Sequence, residues 1–393
     1  MKSTATLLLN PKKTRSLDRF HPWVFSGAIV RIDGEPQPGD FVRVCNIGGQ
    51  LLGHGFYAEG GSITVRLTHF GNEEPQSNWL HDRLLNAYEL RVTLGLADRA
   101  DTSAYRLIHG EGDGLPGLII DHYNGVFVVQ AHARGIFRIL DQITTSIVGI
   151  YGDRCKAIYN KSADTLPGGC EDGYLYGSAL EEHTALEYGN AFYIDFVGGQ
   201  KTGFFIDQRE NRKLLGTLSK GRRVLNTFSY TGGFSVFALR ADAALVHSLD
   251  SSKRALDVGD RNVALNGLDD GRHASIQADA VQYMKQLETN YDLIVLDPPA
   301  FAKHLKARHA AVQGYKRINL LAMQHIDKGG LLFTFSCSQA VDQELFTNTV
   351  IAAAIESGRK VRILHRLHQP ADHPVNAFHP EGAYLKGLVL SID

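Results

Sequence analysis

The chain has 393 residues, enough for two or three domains that each bury a core of their own. Hydrophobic residues make up 44% and charged residues 21%, as in ordinary soluble globular proteins, and the net charge of −1 excludes a uniformly basic surface for nucleic acid. The four cysteines lack the CxxC spacing of metal sites, and no apolar stretch is long enough to span a bilayer or to act as a secretion signal. We therefore expect a cytoplasmic protein with free thiols and no membrane partner.

Residues 1–72 contain short β-type runs separated by turn signals. DFVRVCN at 40–46 and SITVRLTHF at 62–70 are two such runs, and DGEPQPGD at 33–40 is one of the turns. Strands this short and closely spaced predict a small barrel or sandwich. The polar segment GNEEPQSN at 71–78 indicates the end of this domain.

Residues 73–188 are predicted to form an α+β domain. Apolar residues recur at helical spacing in residues 78–95, and GIFRILDQITTSIVGIYG at 135–152 reads as a second amphipathic helix. Strand-like runs and turn clusters lie between and after these helices. Strands and helices therefore mix without regular alternation in this part of the chain.

From residue 189 to 393 strands and helices alternate. Five strand-like runs, each followed by a helical pattern, are RRVLNTFS (222–229), ALVHSLD (244–250), HASIQAD (273–279), YDLIVLD (291–297) and GGLLFTFSCS (329–338). Five successive βα units predict an α/β domain with a doubly wound, mainly parallel sheet. Ligands of such sheets bind beyond the carboxyl ends of the strands, where the strand order reverses.

Polar residues and glycines occupy these predicted strand ends. A loop follows the first strand and contains Asn226, Phe228, Tyr230, Thr231, Gly232 and Gly233. Asp250, 24 residues after Asn226, ends the second strand, and Asp279 and Asp297 end the third and fourth. A lone Asp at such a place is usually a helix N-cap. Three of them beside a Gly-Gly loop favour a nucleoside pocket. The absence of GxGxxG and of a Walker lysine disfavours a dehydrogenase and triphosphate chemistry.

The fourth strand runs into Asp297-Pro298-Pro299-Ala300-Phe301. Two prolines fix the loop and remove two N–H donors, which leaves backbone carbonyls free to accept hydrogen bonds. Phe301 could stack on a base. A rigid strand-to-helix turn would explain the prolines but not the adjoining carboxylate.

This D-P-P-x-F loop resembles motif IV of class I S-adenosylmethionine (SAM)-dependent methyltransferases that act on nucleobases. Together with VLNTFSYTGGFS, GGQKTGFFIDQRENR, GYKRIN and TFSCS, it resembles the bacterial large-subunit ribosomal RNA cytosine-5 methyltransferase family, the RlmI-like proteins. HPWVFSGAI at 21–29 resembles the opening of their PUA domain, an RNA-binding fold. The resemblance implies a multidomain chain: a small PUA-like β-barrel, an α+β middle domain and a Rossmann-like class I methyltransferase domain.

The resemblance also implies a SAM site along the strand ends. The loop from Asn226 to Gly233 would hold the methionine part, Asp250 the ribose hydroxyls and Asp279 the adenine amine. Ser251, Ala280 and Asp297 are adjoining candidates. An additional cofactor-binding loop before the first strand would contribute Gln200, Lys201, Thr202 and Phe205.

Cys337 matches the nucleophile of this family, and Asp297 matches its carboxyl group. Carbon 5 of cytosine is a poor nucleophile, so a thiolate that adds to carbon 6 is needed to activate it. A free thiol has a pKa of about 8.5, so the site is expected to lower it or to deprotonate the thiol on attack. No second cysteine follows motif IV, which leaves release of the product to water or to a side chain such as Lys303 or Tyr315. Alternatively, Cys337 is a small core residue and the loop methylates an exocyclic amine of adenine or guanine.

Two basic clusters suit an RNA partner. They are Lys12, Lys13, Arg15, Arg19 and His21 near the start, and Lys303, His304, Lys306, Arg308, Lys316 and Arg317 beside motif IV. Substrate-binding candidates are Arg19, His21, Pro298, Pro299, Phe301, Lys303, Tyr315 and Lys316, with large-subunit ribosomal RNA as the partner that the resemblance implies. It also allows a homodimer. A non-catalytic RNA-binding assembly factor is a further alternative, disfavoured by the three intact carboxylates.

Overall fold

The computed structural model describes residues 5–166, 168–178, 182–287, 289–302 and 304–393. The chain divides into two compact units, each assembled from three stretches. The first unit comprises Met1–Leu186, Ile194–Ile206 and Ala371–Gly382, and the second comprises Glu187–Tyr193, Asp207–Pro370 and Ala383–Asp393. The boundaries inferred from sequence, after residues 72 and 188, stay predictions.

The first unit begins with a six-stranded sheet. Its elements are β1 (Thr6–Leu9), α1 (Arg15–Asp18), β2 (Trp23–Phe25), β3 (Ile29–Asp33), β4 (Phe41–Asn46), β5 (Leu51–Tyr57) and β6 (Ile63–Phe70). The strand order is β2-β6-β5-β4-β1-β3, antiparallel except for the parallel pair β1 and β4. Apolar residues such as Leu7, Val42 and Leu67 form a buried cluster on this sheet. The small β-rich module predicted from the sequence is confirmed.

A five-stranded sheet and three helices follow in the same unit. Their bounds are α2 (Trp79–Thr93), β7 (Ala104–His109), β8 (Leu118–Tyr123), β9 (Val126–Ala131), α3 (Arg134–Arg138), α4 (Leu140–Tyr151), β10 (Ala157–Asn160) and β11 (Gly173–Tyr176). The order is β11-β10-β9-β8-β7. Leu84 of α2 and Ile143 of α4 lie in one core with Ile120 of β8. Helices with one apolar face thus cover a sheet, as predicted for an α+β domain.

The second unit contains the predicted parallel sheet. After β12 (Thr184–Glu187) and β13 (Asn190–Tyr193), its elements are α5 (Arg209–Thr217), β14 (Arg223–Thr227), α6 (Gly233–Arg240), β15 (Leu245–Asp250), α7 (Lys253–Leu265), β16 (His273–Gln277), α8 (Ala280–Met284), β17 (Tyr291–Leu296), α9 (Arg308–His325), β18 (Ile326–Ser336), α10 (Gln343–Ser357), β19 (Val361–Leu367) and β20 (Lys386–Ile392). The order is β16-β15-β14-β17-β18-β20-β19.

Five strands of this sheet, β14 to β18, are parallel, and β19 and β20 add an antiparallel edge. The winding reverses at β14, whose neighbours are β15 on one side and β17 on the other. This reversal creates the crevice in which ligands of doubly wound sheets bind. The predicted α/β fold is confirmed, and its crevice lies at the ends of β14, β15 and β17.

Polar caps set the starts of the helices around the sheet. Asp342 accepts a hydrogen bond from the Leu345 backbone N–H at 2.8 Å and begins α10, and Gly358, with a φ of 68°, ends it. None of the described helices is long and apolar enough to cross a membrane.

Candidate active site

The loop after β14 has an unusual backbone. Phe228 and Tyr230 have φ values of 54° and 46°, in the left-handed region that bulky residues rarely adopt. Gly232 follows with a φ of 76°, and a Cβ there would lie 3.3 Å from the Gly259 Cα atom of α7. Strain of this kind persists only where the surroundings enforce it, and it concentrates at ligand-binding sites.

The polar side chains of this loop are incompletely paired. Asn226 donates from Nδ2 to the Ser235 hydroxyl at 2.9 Å, but its Oδ1 and the Ser229 hydroxyl are buried without a hydrogen-bond partner among the described residues. Thr231, by contrast, is tied to α7, because its carbonyl accepts from Asn262 at 2.8 Å. A buried acceptor without a donor costs free energy unless a ligand supplies one.

The Asp250 carboxylate is held by backbone N–H groups of the loops that follow β14 and β15. Its Oδ2 accepts from the Tyr230 N–H and its Oδ1 from the Ser252 N–H, each at 2.9 Å. It does not cap α7, because the hydroxyl of Ser252 accepts from the Ala255 N–H in that role. The helix-cap alternative therefore does not apply to Asp250. Its fixed carboxylate has lone pairs left for the two hydroxyls of a ribose.

We expect Asp250→Asn to weaken SAM binding by about 10- to 100-fold, because one charge-assisted hydrogen bond contributes about 1.5 to 3 kcal/mol. Isothermal titration of the purified chain with SAM checks this. The matched control is Asp257→Asn on α7, an exposed carboxylate that pairs with Lys253. Equal affinities in the two variants would contradict the assignment of Asp250 to the ribose.

Asp279 has the role of a helix cap. Its Oδ1 accepts from the Gln282 N–H at 2.9 Å at the start of α8, and Ala280 begins that helix as a buried residue. Ser251 is exposed, and its carbonyl accepts from Gln277 at 3.2 Å. The structural explanation of Asp279 is thus sufficient by itself, and its contact with adenine stays a prediction.

Asp297 follows the buried end of β17, and burial raises its pKa to about 7. The nearby Asp207 carboxylate raises it further, whereas a hydrogen bond with Gln208 and the charge of Arg212 lower it. Arg212 itself is neutralised, because it donates twice to Glu187 at 2.7 Å. A carboxyl group in this environment is protonated in a large fraction of molecules at neutral pH, so it can donate a hydrogen bond.

Cys337 follows β18, the neighbour of β17, and is half-buried. Burial raises the pKa of its thiol to about 11, and the Asp297 and Asp207 carboxylates add to the increase. Burial and the two carboxylates therefore raise the thiol pKa, which does not favour the first of the two alternatives, a site that lowers it. Deprotonation on attack is the alternative that remains.

The cation beside Cys337 is Lys386, at the start of β20. It pairs with Ser336 across the antiparallel strands, is buried, and donates from Nζ to the Ser338 carbonyl at 2.7 Å. Burial lowers its pKa to about 8, and its charge lowers the pKa of Cys337. An amine that titrates near neutral pH can both accept the proton of the thiol and stabilise the thiolate.

The residues after Asp297 form the D-P-P-x-F loop, and its aromatic ring packs against α9. Pro298 is buried and Pro299 exposed, and the Phe301 ring lies against Tyr315 with centroids 4.6 Å apart. Tyr315 has no exposed surface, and burial raises the pKa of its phenol to about 12. This burial removes Tyr315 from any surface that RNA could reach and makes its phenol a poor base at neutral pH.

Two lysines were predicted to contact substrate near this loop. Lys316 forms an ion pair with Glu356 at 2.6 Å and is about one-third exposed. Lys303 lies outside the described residues.

The predicted additional cofactor loop belongs to the first unit. Thr202 is buried there and donates to the Asp121 carboxylate at 2.6 Å, and Lys201 has a φ of 52°. The Gln200 carbonyl accepts from the Gly203 N–H at 2.9 Å, while Phe205 is half-buried. The tight turn is thus fixed by Thr202, and its contact with SAM stays a prediction.

The N-terminal candidates differ in exposure. Arg19 is exposed, whereas the His21 side chain is only 13% exposed and packs against Trp23 and His379. Phe20, with a φ of 59°, is 51% exposed.

Four residues of the second-unit site were not singled out individually: Asp207, Gln208, Arg212 and Lys386. The first three lie in the FFIDQRENR segment, which carries part of the family resemblance but gives no role to these residues. Arg212 is buried despite its charge. No local signal marks Lys386, since only the antiparallel pairing of β20 with β18 brings it beside the Cys337 strand.

The comparisons with known proteins agree with this geometry. The family description "S-adenosylmethionine-dependent methyltransferase" matches residues 105–390, and "PUA-like domain" matches residues 7–70. The ribosomal RNA large subunit methyltransferase I of Erwinia tasmaniensis is 38% identical over 99% of this chain and all of its own length. That of Klebsiella pneumoniae is 38% identical over 98% of both chains. The chain belongs to the ribosomal RNA large subunit methyltransferase I family.

Solved structures agree on the fold. A chain described as a SAM-dependent methyltransferase from Streptococcus mutans superposes with a TM-score of 0.84 at 22% identity, over 98% of this chain and 99% of its own. SMU.776, a methyltransferase solved with S-adenosylhomocysteine (SAH), gives 0.83 at 23% identity over the same shares.

The crevice residues of the second unit fit a SAM molecule. The unpaired Asn226 Oδ1 and Ser229 hydroxyl provide an acceptor and a donor beside the strained loop. The fixed Asp250 carboxylate stands at the end of the next strand. Acceptors suit the amino group and ribose hydroxyls of a nucleoside-linked amino acid. SAM is therefore the cofactor of this family member, and its individual contacts are proposals.

Proposed function

We propose that this chain transfers a methyl group from SAM to carbon 5 of a cytosine in large-subunit ribosomal RNA. The names of its 38%-identical relatives support the substrate class. The observation that carries the reaction type is the pairing of Cys337 with a carboxyl group, Asp297, whose pKa is raised to about 7, at the ends of adjacent parallel strands.

The two side chains have complementary tasks. The protonated Asp297 donates a hydrogen bond to N3 of cytosine, which draws electrons from the ring and favours addition at carbon 6. The Cys337 thiolate forms the sulfur–carbon 6 bond, and the electron pair displaced from the carbon 5–carbon 6 bond makes carbon 5 nucleophilic. SAM supplies the electrophilic methyl group. The carbon 5 proton then leaves to a base, and its electron pair re-forms the double bond as the sulfur–carbon 6 bond breaks.

We assign to Lys386 the stabilisation of the thiolate. The neutral amine accepts the thiol proton as sulfur attacks, and the resulting ammonium stabilises the thiolate. The raised pKa of Cys337 calls for a proton acceptor, because very little thiolate is present at neutral pH before attack. Lys386 acts through Cys337 and is a positioning residue.

We expect Lys386→Met to slow alkylation of Cys337 by iodoacetamide about 10-fold at pH 8, since loss of the cation raises the thiol pKa. Rates measured from pH 6 to 10 by intact mass, with peptide mapping of the modified cysteine, report that pKa directly. Lys386→Arg keeps the charge and is expected to retain most of the thiolate stabilisation. Identical pH profiles in all three proteins would remove Lys386 from this role.

Methylation of an exocyclic amine is the competing function. A D-P-P-x-F loop suits it, because the backbone carbonyls beside Pro298 and Pro299 can accept from an amine. It needs neither a thiol nor a protonated carboxyl group, so it leaves the environment of Asp297 and Cys337 unexplained. The cytosine reaction uses both.

The deciding experiment for the product is methylation of protein-free large-subunit ribosomal RNA with isotopically labelled SAM, followed by nucleoside mass spectrometry. Labelled 5-methylcytidine is the expected product. A label in N6-methyladenosine or N2-methylguanosine would establish the amine reaction instead, and no transfer to either the RNA or ribosomal particles would favour a non-catalytic factor.

We propose that the N-terminal module contributes to RNA binding through Arg19 and the exposed ring of Phe20 beside it. Guanidinium groups bind phosphates, and exposed aromatic rings stack on unpaired bases. A ribosomal RNA substrate would place the protein in the cytoplasm. A homodimer stays a prediction.

A further inference from the structure

Three potential metal ligands converge in the first unit, in the part of it that the structure describes. They are His21, just before β2, and His379 and Glu381 in the segment Ala371–Gly382. Nε2 of His21 lies 3.6 Å from the Glu381 carboxylate, and Nε2 of His379 lies 3.9 Å from the same oxygen. One ligand atom from each of the three lies within 4.8 Å of the others.

His379 is also a buried imidazole whose hydrogen-bonding capacity is unused. Its side chain is 5% exposed, yet neither ring nitrogen has a hydrogen-bond partner in the part of the chain that the structure describes. The ring packs edge-on against Trp23, with centroids 4.4 Å apart, and beside His21 at 5.3 Å. A buried imidazole with two unpaired nitrogens costs free energy that a bound ligand at Nε2 would recover.

The surrounding charge favours a cation. Both Glu381 and Glu111 act on His379 with negative potential. Glu111 is fixed, because its carboxylate accepts from the Trp23 indole N–H at 2.8 Å and its carbonyl accepts from Asn376 at 3.2 Å.

We propose that His21, His379 and Glu381 form a binding site for a divalent transition-metal ion, with Zn²⁺ as the ion that this donor set suits best. Two imidazoles, one carboxylate and a water are a common zinc set. Ligand atoms in a tetrahedral site with bonds of about 2.0 Å lie about 3.3 Å apart. Small side-chain rotations therefore bring the present distances of 3.6 and 3.9 Å to that value.

One hydrogen bond changes when the ion binds. Nδ1 of His21 accepts from the Trp23 backbone N–H at 3.2 Å, a weak contact that places the ring proton on Nε2. Coordination through Nε2 moves that proton to Nδ1, so the contact with Trp23 is exchanged for the metal bond and the ring turns slightly. His379 loses no hydrogen bond.

The site would link two segments far apart in sequence. Asp372, in the same segment as His379, already accepts from the Arg106 backbone N–H at 2.9 Å, while its carbonyl accepts from Arg91 at 2.9 Å. The ion would add a second attachment, at the other end of that segment, to the strand that begins at Trp23. Its role is therefore structural, in the first unit, and independent of the methyl transfer.

The test uses the purified full-length chain after treatment with a chelator. Co²⁺ is added while visible absorption is recorded, and Zn²⁺ is then used to displace it. The expected result is one Co²⁺ per chain with the intense absorption of four-coordinate cobalt, displaced by one equivalent of Zn²⁺, and a higher melting temperature in the Zn²⁺ form. Affinity is expected to fall by about 100-fold or more in Glu381→Gln and His379→Gln.

Glu381 is 55% exposed, so Glu381→Gln is expected to fold even if His379→Gln does not. His365→Gln is the matched control, an exposed histidine on β19 of the second unit. It is expected to bind Co²⁺ like the unaltered chain. Failure to observe one tightly bound Co²⁺ or Zn²⁺, or unchanged binding in Glu381→Gln, would overturn the proposal.

Discussion

Replacement of Cys337 by alanine is expected to reduce methyl transfer to RNA by about 10³-fold or more, because carbon 5 of cytosine has no other route to activation in this site. SAM affinity is expected to stay within about twofold, since Cys337 is not among the cofactor candidates and no covalent step precedes cofactor binding. The measurements are labelled-methyl transfer to ribosomal RNA and titration with SAM.

A trapping experiment identifies the bond directly. Ribosomal RNA that contains 5-fluorocytidine has fluorine in place of the proton that must leave, so the adduct between Cys337 and carbon 6 cannot break down after methylation. We expect a complex that survives denaturation in the unaltered chain and in Cys170→Ala, a half-buried cysteine in the first unit, but not in Cys337→Ala. Full activity of Cys337→Ala without any adduct would instead support methylation of an exocyclic amine.

The order of strands and helices in the second unit follows from local sequence. Each parallel strand is a short apolar run, and each is followed by a helical pattern, so the five βα units are visible without any long-range information. The positions of Asp250, Asp297 and Cys337 at strand ends follow from the same reading, because parallel strands end on one edge of the sheet.

The burial and the charged neighbours of these side chains could not be predicted from local sequence. The pKa of Cys337 depends on its burial and on two carboxylates from other segments. The cation that opposes them, Lys386, lies 49 positions later, on an antiparallel strand. The residues next to Cys337 in sequence include neither these carboxylates nor this lysine. The sequence therefore left two alternatives open, a lowered thiol pKa or deprotonation on attack, because the choice between them depends on burial and charges that local sequence does not contain.

The left-handed backbone conformation of several residues also could not be predicted from the sequence. Glycines mark left-handed positions in a sequence, but Phe228, Tyr230 and Lys201 adopt positive φ values without any such signal. Phe301 shows a related limit. Its aromatic ring suggested base stacking, yet it lies against the buried Tyr315 and shapes the loop from within. A residue type predicts what a side chain can do, whereas its neighbours decide which use it has.

Asp297→Asn is expected to stabilise the protein at pH 8 while it lowers activity by about 100-fold. The pKa of Asp297 is about 7 in the folded chain and near 3.8 in the unfolded chain. The folded state therefore keeps a proton that the unfolded state has lost, and stability falls as the pH rises from about 4 to about 7. Asparagine has no ionisation to oppose, so the variant avoids a cost of up to about 4 kcal/mol at pH 8.

Thermal unfolding at pH 5 and pH 8 checks the sign. The melting temperature of Asp297→Asn is expected to exceed that of the unaltered chain by several degrees at pH 8 and by less at pH 5, where Asp297 is protonated in the folded state. Asp292→Asn is a matched control in the same strand. Asp292 is partly exposed and lies near the start of β17, at the end of the strand opposite to Asp297. A lower melting temperature for Asp297→Asn at pH 8 would mean that its carboxylate is ionised and stabilising.

The activity of the same variant separates the two tasks of the carboxyl group. In the unaltered chain, protonated Asp297 is lost as the pH rises through about 7, while thiolate at Cys337 is gained, so kcat/KM should pass through a maximum set by the coupled pair. Asparagine can still donate a hydrogen bond from its amide, but it has no proton to lose. In Asp297→Asn the descending limb is therefore expected to disappear, leaving a rate that rises with pH as Cys337 ionises. A descending limb that persists in the variant would assign it to a different group.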